Sequence, residues 1–501
     1  MTRSDVPRDP DAPTAADPAR PAADPAQRLD ALPVTRRHVR LLMGSGVGWT
    51  FDAMDVGLIS FVIAQLAVVW GTDATTLGWV ASAGFVGMAV GAAVGGLLAD
   101  RIGRRQVFAL TLLVYGVATG ASAFAGGVAV LMVLRFVVGL GLGAELPVAS
   151  TLVSEFAPPR IRGRAVVVLE SFWAVGWILA AVIGYLVVPS GDDGWRWALA
   201  LGALPALYSV VVRRGLPESV RFLQARGRHA EAERVVADLE ASRAVGHGGL
   251  TGAQVRDAAQ GPTGTSASAP SATSAPATTS DPAATSGPTT SREAAERPRS
   301  SGEPAPRLAA LWAPALRRRT TALWVVWFTV NFAYYGAFIW LPSVLAADGH
   351  TLVRSFEYTL IITLGQLPGY AAAAVLVETW GRRRTLAAFL AGSAVAAGAF
   401  AAASGDAQII GAGLLLSFFN LGAWGALYAV TPELYPTRMR TTGAGWAAGI
   451  GRTASVLAPL AVPQLRELGG TGLLFTVFAG VFVVAALGAL ALPDHTGESL
   501  T

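Results

Sequence analysis

Six ionisable residues lie inside long apolar runs of this chain: Asp52, Asp55, Arg135, Glu145, Glu170 and Arg452. An ionised side chain at the centre of a hydrocarbon layer costs roughly 2.5 to 3.5 kcal/mol even on the lenient insertion scale, so those that remain are usually paired or functional. Four acids face two bases. That excess of carboxylates is easiest to sustain if at least one is protonated, because burial disfavours the charged form. A carboxyl group that gains and loses a proton is what proton coupling needs. Asp52 sits three residues from Asp55, on roughly one face of a helix, where two neighbouring carboxylates do not both ionise easily. Asp52 then carries a second titration or a substrate hydrogen bond, the alternative being a packing or capping acid.

Arg452 is the only charge inside the later apolar runs. Its planar guanidinium can hold a carboxylate with two hydrogen bonds. Glu170, Trp173 and Trp177 fall on one helical stripe, and Asn331, Tyr334 and Tyr335 on another. Gln366, Asn420 and Trp424 add polar and aromatic groups on further runs, and Glu145 adds an acid. With aromatics around Arg452, the fitting ligand is a small ring bearing a carboxylate. Two alternatives stay open: the stripes are packing, and Arg452 caps carbonyls or pairs with an acid.

The elements that must hold these residues follow from composition. A chain of 501 residues that is 53% hydrophobic and 14% charged cannot hide its apolar surface in one soluble core. Twelve apolar runs have roughly the 20 residues that a helix needs to cross ~30 Å of hydrocarbon. They fall near 41–69, 77–99, 107–125, 128–153, 165–188 and 197–212, then near 321–346, 358–377, 385–403, 408–431, 442–464 and 471–492. Asp55 lies about 15 residues, or roughly 22 Å, into the first, and Arg135 is at a comparable depth in the fourth, so the two can meet. The expected fold is an all-α membrane protein of twelve transmembrane helices in two six-helix halves.

A motif is written twice. Asp100, Gly103, Arg104 and Arg105 recur as Glu378, Gly381, Arg382 and Arg383, a shift of 278 residues. Glu155, Pro158, Arg160 and Arg162 recur as Glu433, Pro436, Arg438 and Arg440 at the same shift. Two coincidences at one offset imply duplication, and paired halves with a ligand held between them are a common transporter plan. Arginines crowd alternate loops, at Arg36, Arg37 and Arg40, at Arg101, Arg104 and Arg105, and at Arg160, Arg162 and Arg164. Short loops rich in positive charge stay cytoplasmic, which puts both termini inside. Loop arginine also explains the basic pI of about 9.9, so no nucleic-acid partner is invoked.

Domain boundaries follow. Residues 1–38 form a disordered cytoplasmic tail, 39–213 the first half, 214–320 an inter-half loop, 321–492 the second half and 493–501 a cytoplasmic tail. Within the loop, 218–240 reads as amphipathic helix. Residues 251–306, almost without large apolar side chains, read as a disordered linker. The chain has no cysteine, which excludes disulfides and thiolate metal sites. No cofactor or metal is expected. The expected partners are a small-molecule substrate, a proton and the lipid of the cell membrane, with the protein a monomer.

The segments Gly95–Arg105, Arg135–Gly143, Glu155–Arg164, Leu216–Leu223 and Pro432–Pro436 resemble the major facilitator superfamily over roughly residues 35 to 492. Within it, Phe51–Gly57, Gly143–Ser150, Leu169–Trp173 and Tyr334–Gly336 are similar to metabolite:proton symporters, nearer the aromatic-acid and nicotinate permeases than the sugar porters. The resemblance implies that Asp55 and Arg135 are the acid–arginine pair of proton coupling, whose alternative is a permanent salt bridge. It implies proton symport of a small organic anion, an aromatic monocarboxylate such as nicotinate. Where sugar porters carry hydroxyl-binding glutamines, Trp177, Trp324 and Val325 stand here, which sets a sugar or polyol second. A drug:proton antiporter and a non-transporting receptor are further alternatives. At the arginine-rich ends, Asp100, Arg104, Arg105, Glu155 and Arg164, with Glu378, Arg382, Glu433, Arg438 and Arg440, are expected to form a gate of acids and bases. The alternative for them is topology alone.

Overall fold

The computed structural model describes residues 24–158, 161–242, 308–436 and 439–493. The 251–306 segment and Arg438 lie outside them, as do residues 1–23 and 494–501. The helices are α1 (Pro25–Ala31), α2 (Arg36–Val69), α3 (Ala74–Ile102), α4 (Arg104–Ser122), α5 (Val128–Phe156), α6 (Arg162–Leu186), α7 (Gly194–Leu201) and α8 (Leu204–Gly215). Two short helices follow, α9 (Val220–Ala225) and α10 (His229–Glu240). The later ones are α11 (Arg317–Ala347), α12 (Leu352–Leu364), α13 (Gln366–Thr379), α14 (Arg382–Ala401), α15 (Asp406–Val430) and α16 (Arg440–Leu490).

Ten helical stretches among the described residues are long and apolar enough to cross a membrane, α7 with α8 counting as one and α12 with α13 as another. α16 has 51 residues, which would reach about 76 Å if straight. It breaks at Gly469 and Gly470, where Gly470 has φ +66°, a left-handed conformation that only glycine adopts freely. Large apolar side chains such as Leu97, Leu186, Leu207, Val395 and Leu468 stand exposed on the outer faces, a surface suited to lipid and not to water.

Close glycine contacts set the helix crossings. On α3, a Cβ added to Gly87 would lie 2.1 Å from the Phe136 carbonyl oxygen, and one added to Gly91 2.2 Å from that of Leu140. On α5, Gly139 and Gly143 approach the Gly84 and Met88 carbonyls as tightly. Small residues at four-residue spacing let two backbones touch, which is how helices associate where hydrophobic burial gives no drive. The same crossing recurs 278 residues later: Gly365 lies on the Leu414 carbonyl and Gly369 on that of Phe418. The turns recur as well. Gly103 (φ +108°) ends α3 and Gly381 (φ +99°) precedes α14, each in a conformation that an L side chain resists.

Helix starts are locally encoded. The Asp73 carboxylate accepts from the Thr76 amide at 2.9 Å and caps α3, and those hydrogen bonds hold its carboxyl below the usual range. Thr351 caps α12 by accepting from the Arg354 amide. One boundary differs from expectation. The stretch from Asp24 onward, expected as disordered tail, forms α1 and the start of α2. Its charges are used: Arg28 pairs with Glu233 and Glu240 of α10, Asp30 with Arg221 of α9, and Leu29 is buried beneath them.

Candidate functional site

Asp55 on α2 and Arg135 on α5 meet, with Arg135 Nη1 donating to Asp55 Oδ2 at 3.2 Å. Thr119 Oγ1 of α4 donates to the other carboxylate oxygen at 2.5 Å. Arg135 Nη2 donates in turn to Thr119 Oγ1 at 3.3 Å and Ser122 Oγ at 3.5 Å. Both charged residues are almost wholly buried. Arg135 is one turn before Gly139, so the glycine crossing of α3 and α5 fixes its position. An acid, a base and two hydroxyls thus form one network in which only Arg135 Nε lacks a partner, and removing one charge leaves the other buried and unpaired.

A second cluster sits where α2 and α6 meet α11, α15 and α16. Trp49 lies 5.1 Å from Trp173, whose indole N–H donates to the Tyr334 hydroxyl at 3.0 Å. Tyr334 packs on Trp177 at 5.7 Å and on Trp424 at 5.3 Å, and Tyr335 also faces Trp424. Arg452, half-buried on α16, is within electrostatic reach of Glu170 and Tyr335. No ion pair closes between Arg452 and Glu170 among the described residues, and Glu170 Oε1 accepts no hydrogen bond. Buried polar groups without partners are abundant: both amide atoms of Gln366, both of Asn420, Ser417 Oγ and Tyr370 OH. Buried polar groups are normally paired, and leaving one unpaired costs about 1 to 3 kcal/mol, so these atoms are ones that a ligand or water can complete.

Two of the expected substrate groups are committed elsewhere. Asn331 donates to the Trp327 carbonyl at 2.7 Å and accepts from Ser455 Oγ at 3.1 Å, so it ties α11 to α16. Glu145 lies beside Asp52 of α2, where Gly48 leaves room for its carboxylate.

At the arginine-rich end, Arg164 Nε and Nη2 hold the Glu378 carboxylate with two hydrogen bonds of 2.8 and 3.0 Å, joining α6 to α13. Arg382 pairs with Glu433 at 2.6 Å. Arg104 pairs with Asp100 at 2.9 Å and lies 3.8 Å from Glu155. Arg105 serves differently from expectation: its Nη1 donates to the Leu216 carbonyl and tethers the chain leaving α8. Arg440 begins α16, and only its backbone is described.

Three residues of this end were not singled out from the sequence. Glu218 Oε1 accepts from the amides of Arg104 and Arg105 at 2.9 and 3.2 Å, capping α4 with a carboxylate where a helix start favours negative charge. Phe222 lies under the guanidinium groups of both Arg104 and Arg226. Arg226 caps the end of α3 through the Asp100 and Arg101 carbonyls. Glu218 lies in the Leu216–Leu223 segment already quoted, and an acid just after a Pro was the available signal.

The family model described as "Sugar (and other) transporter" matches residues 46–248 and 282–500. The chain belongs to this major facilitator family. It is a membrane transporter of small molecules and not an enzyme. It is 41% identical over 479 residues to the niacin transporter NiaP of Acinetobacter baylyi, covering 95% of this chain and 99% of that protein. It is 41% identical over 459 residues to a putative niacin/nicotinamide transporter of Bacillus subtilis, covering 92% and 95%. The fold is similar to the inward-open xylose transporter XylE of E. coli, with a TM-score of 0.67, 16% identity, and coverage of 92% of this chain and 98% of that one.

Proposed function

We propose that this transporter carries a small aromatic monocarboxylate such as nicotinate across the cytoplasmic membrane in symport with a proton, by alternating access. The observation that carries the reading is the Arg452 guanidinium beside an aromatic cluster drawn from α2, α6, α11 and α15. A planar ring stacks on such walls, and the guanidinium fork takes its carboxylate. The names of the two relatives point to the same ligand class. In this reading Asp55 is the coupling acid: its protonation releases Arg135 and frees α2 and α5 to move. The Arg164–Glu378 pair closes the cytoplasmic end between the halves. The protein works as a monomer.

Twelve crossings fit this reading. The ten stretches become twelve when α4, of 19 residues, is counted and α16 is counted as two passes broken at Gly469 and Gly470. With twelve crossings and arginine-rich loops inside, both termini are cytoplasmic.

The test is uptake of labelled nicotinate into proteoliposomes that hold the full chain. An inward proton gradient is expected to drive accumulation, and a protonophore to collapse it. Uptake of glucose or inositol in place of nicotinate would overturn the ligand class, and gradient-independent equilibration would overturn coupling.

A further inference from the structure

A third buried group is used by neither cluster. Asp52 of α2, Glu145 of α5 and Tyr115 of α4 are almost wholly buried, at 2%, 0% and 0% relative exposure. Asp52 is within interacting range of both Glu145 and Tyr115. None of the four carboxylate oxygens, nor the phenol oxygen, makes a hydrogen bond of ordinary geometry. The slot is built for this meeting. Gly48 is four residues before Asp52 and so on the same face of α2. A Cβ there would lie 2.8 Å from Glu145 Oε1 and 2.6 Å from Phe108 Cζ, so only glycine leaves space for the acid.

The groups facing the pair are few. Tyr115 faces it from α4, and Tyr208 of α8 is in reach of Glu145 while donating its own proton to the Gly44 carbonyl at 2.8 Å. From its own helix comes Asp55, already held by Arg135. The nearest acid of α6 is Glu170, which is turned to Trp49 and Arg452. No cation pairs with either carboxylate among the described residues. Two buried carboxylates side by side without a cation do not both ionise, and a shared proton removes both the repulsion and one desolvated charge.

We propose that Asp52 and Glu145, with the Tyr115 hydroxyl beside them, form a second proton-holding site that shares one proton between two carboxyl groups, apart from the Asp55–Arg135 pair. The site's transport role rests on the proton-coupled reading, but its existence does not. Asp52 and Asp55 share a face of α2, so the site can deliver a proton toward Asp55. In that step the O–H bond at Asp52 breaks and one forms at the Asp55 carboxylate while a proton from solvent binds the pair, so that Asp52 and Glu145 keep one proton between them.

The test is infrared spectroscopy of the purified full chain in lipid nanodiscs, which needs no transport. The wild type is expected to show the carbonyl stretch of a protonated carboxyl at neutral pH. The double variant Asp52→Asn, Glu145→Gln should lose that band, and Asp55→Asn should keep it. A spectrum unchanged in the double variant overturns the proposal. Should the double variant fail to fold, Tyr115→Phe decides: a shifted carboxyl band supports a phenol in contact with the pair, and an unshifted one overturns it. A lost band without proton-driven nicotinate uptake keeps the site and removes the coupling reading. Proton-driven uptake with an unchanged band does the reverse.

Discussion

At the crossing of α3 and α5, Gly87 and Gly91 rest on the Phe136 and Leu140 carbonyls, and 278 residues later Gly365 and Gly369 rest on those of Leu414 and Phe418. The buried charges follow no such rule. At the same shift, Asp52 and Asp55 are replaced by Val330 and Ala333, Arg135 by Gly413, Glu145 by Ala423 and Glu170 by Ala448. In the other direction Arg452 answers to Ala174. The duplicated scaffold is therefore kept for backbone packing, and the chemistry is asymmetric: the first set of helices holds four acids and one arginine, which pairs with Asp55, and the second offers a single arginine among aromatics and unpaired amides. The two regions also differ in completeness. At the Asp55–Arg135 pair only Arg135 Nε lacks a partner, whereas Glu170, Gln366 and Asn420, like Asp52, Glu145 and Tyr115, have polar atoms without one. A largely satisfied network suits a switch, and an open one suits a ligand or a shared proton.

The comparison breaks most sharply at Asp55. Asp55→Asn is expected to abolish proton-driven accumulation while leaving counterflow exchange, since exchange needs reorientation of the loaded carrier but no net proton movement. Equal loss of both in proteoliposomes would make the pair structural. Removing one partner of a buried ion pair costs about 3 to 5 kcal/mol, so folded yield is measured alongside.

A smaller effect sharpens it at the arginine-rich end. Arg164 and Glu378 are 69% and 51% exposed, so their pair contributes only about 0 to 1 kcal/mol in spite of its two-point geometry. Glu378→Arg should shift the balance of closed and open conformers at that end by a few-fold, and adding Arg164→Glu should restore it. Spin labels on cysteines introduced into α6 and α13, in a chain with none of its own, would read the distance distribution. A swap that fails to restore the wild-type distribution would assign the arginine to orientation alone.

Some of this was legible before the structure. Counting residues from the ends of the apolar runs puts Asp55 and Arg135 at one depth, and they meet. Glycine and arginine repeats announce the duplication, because turns and topology depend on a few residue types. The partners were not legible. Thr119 and Ser122 are ordinary hydroxyls in an apolar helix until α4 lies against Asp55. The direction of Glu145 depends on the space left by Gly48 on another helix. Asn331 looks like a ligand group by type and depth, but its amide is taken by Trp327 and Ser455. The order of α1 rests on pairs with residues some 200 positions away, which no local pattern reveals.

The most direct measurement compares binding of nicotinate and of its neutral amide to the wild type and to Arg452→Lys, by calorimetry or thermal shift. If the guanidinium anchors the carboxylate, a two-point charge-assisted contact becomes a single one, and affinity for the acid should fall about tenfold or more while the amide is little changed. A fall of the same proportion for both ligands would contradict a carboxylate on Arg452 and leave that residue a packing or gating role.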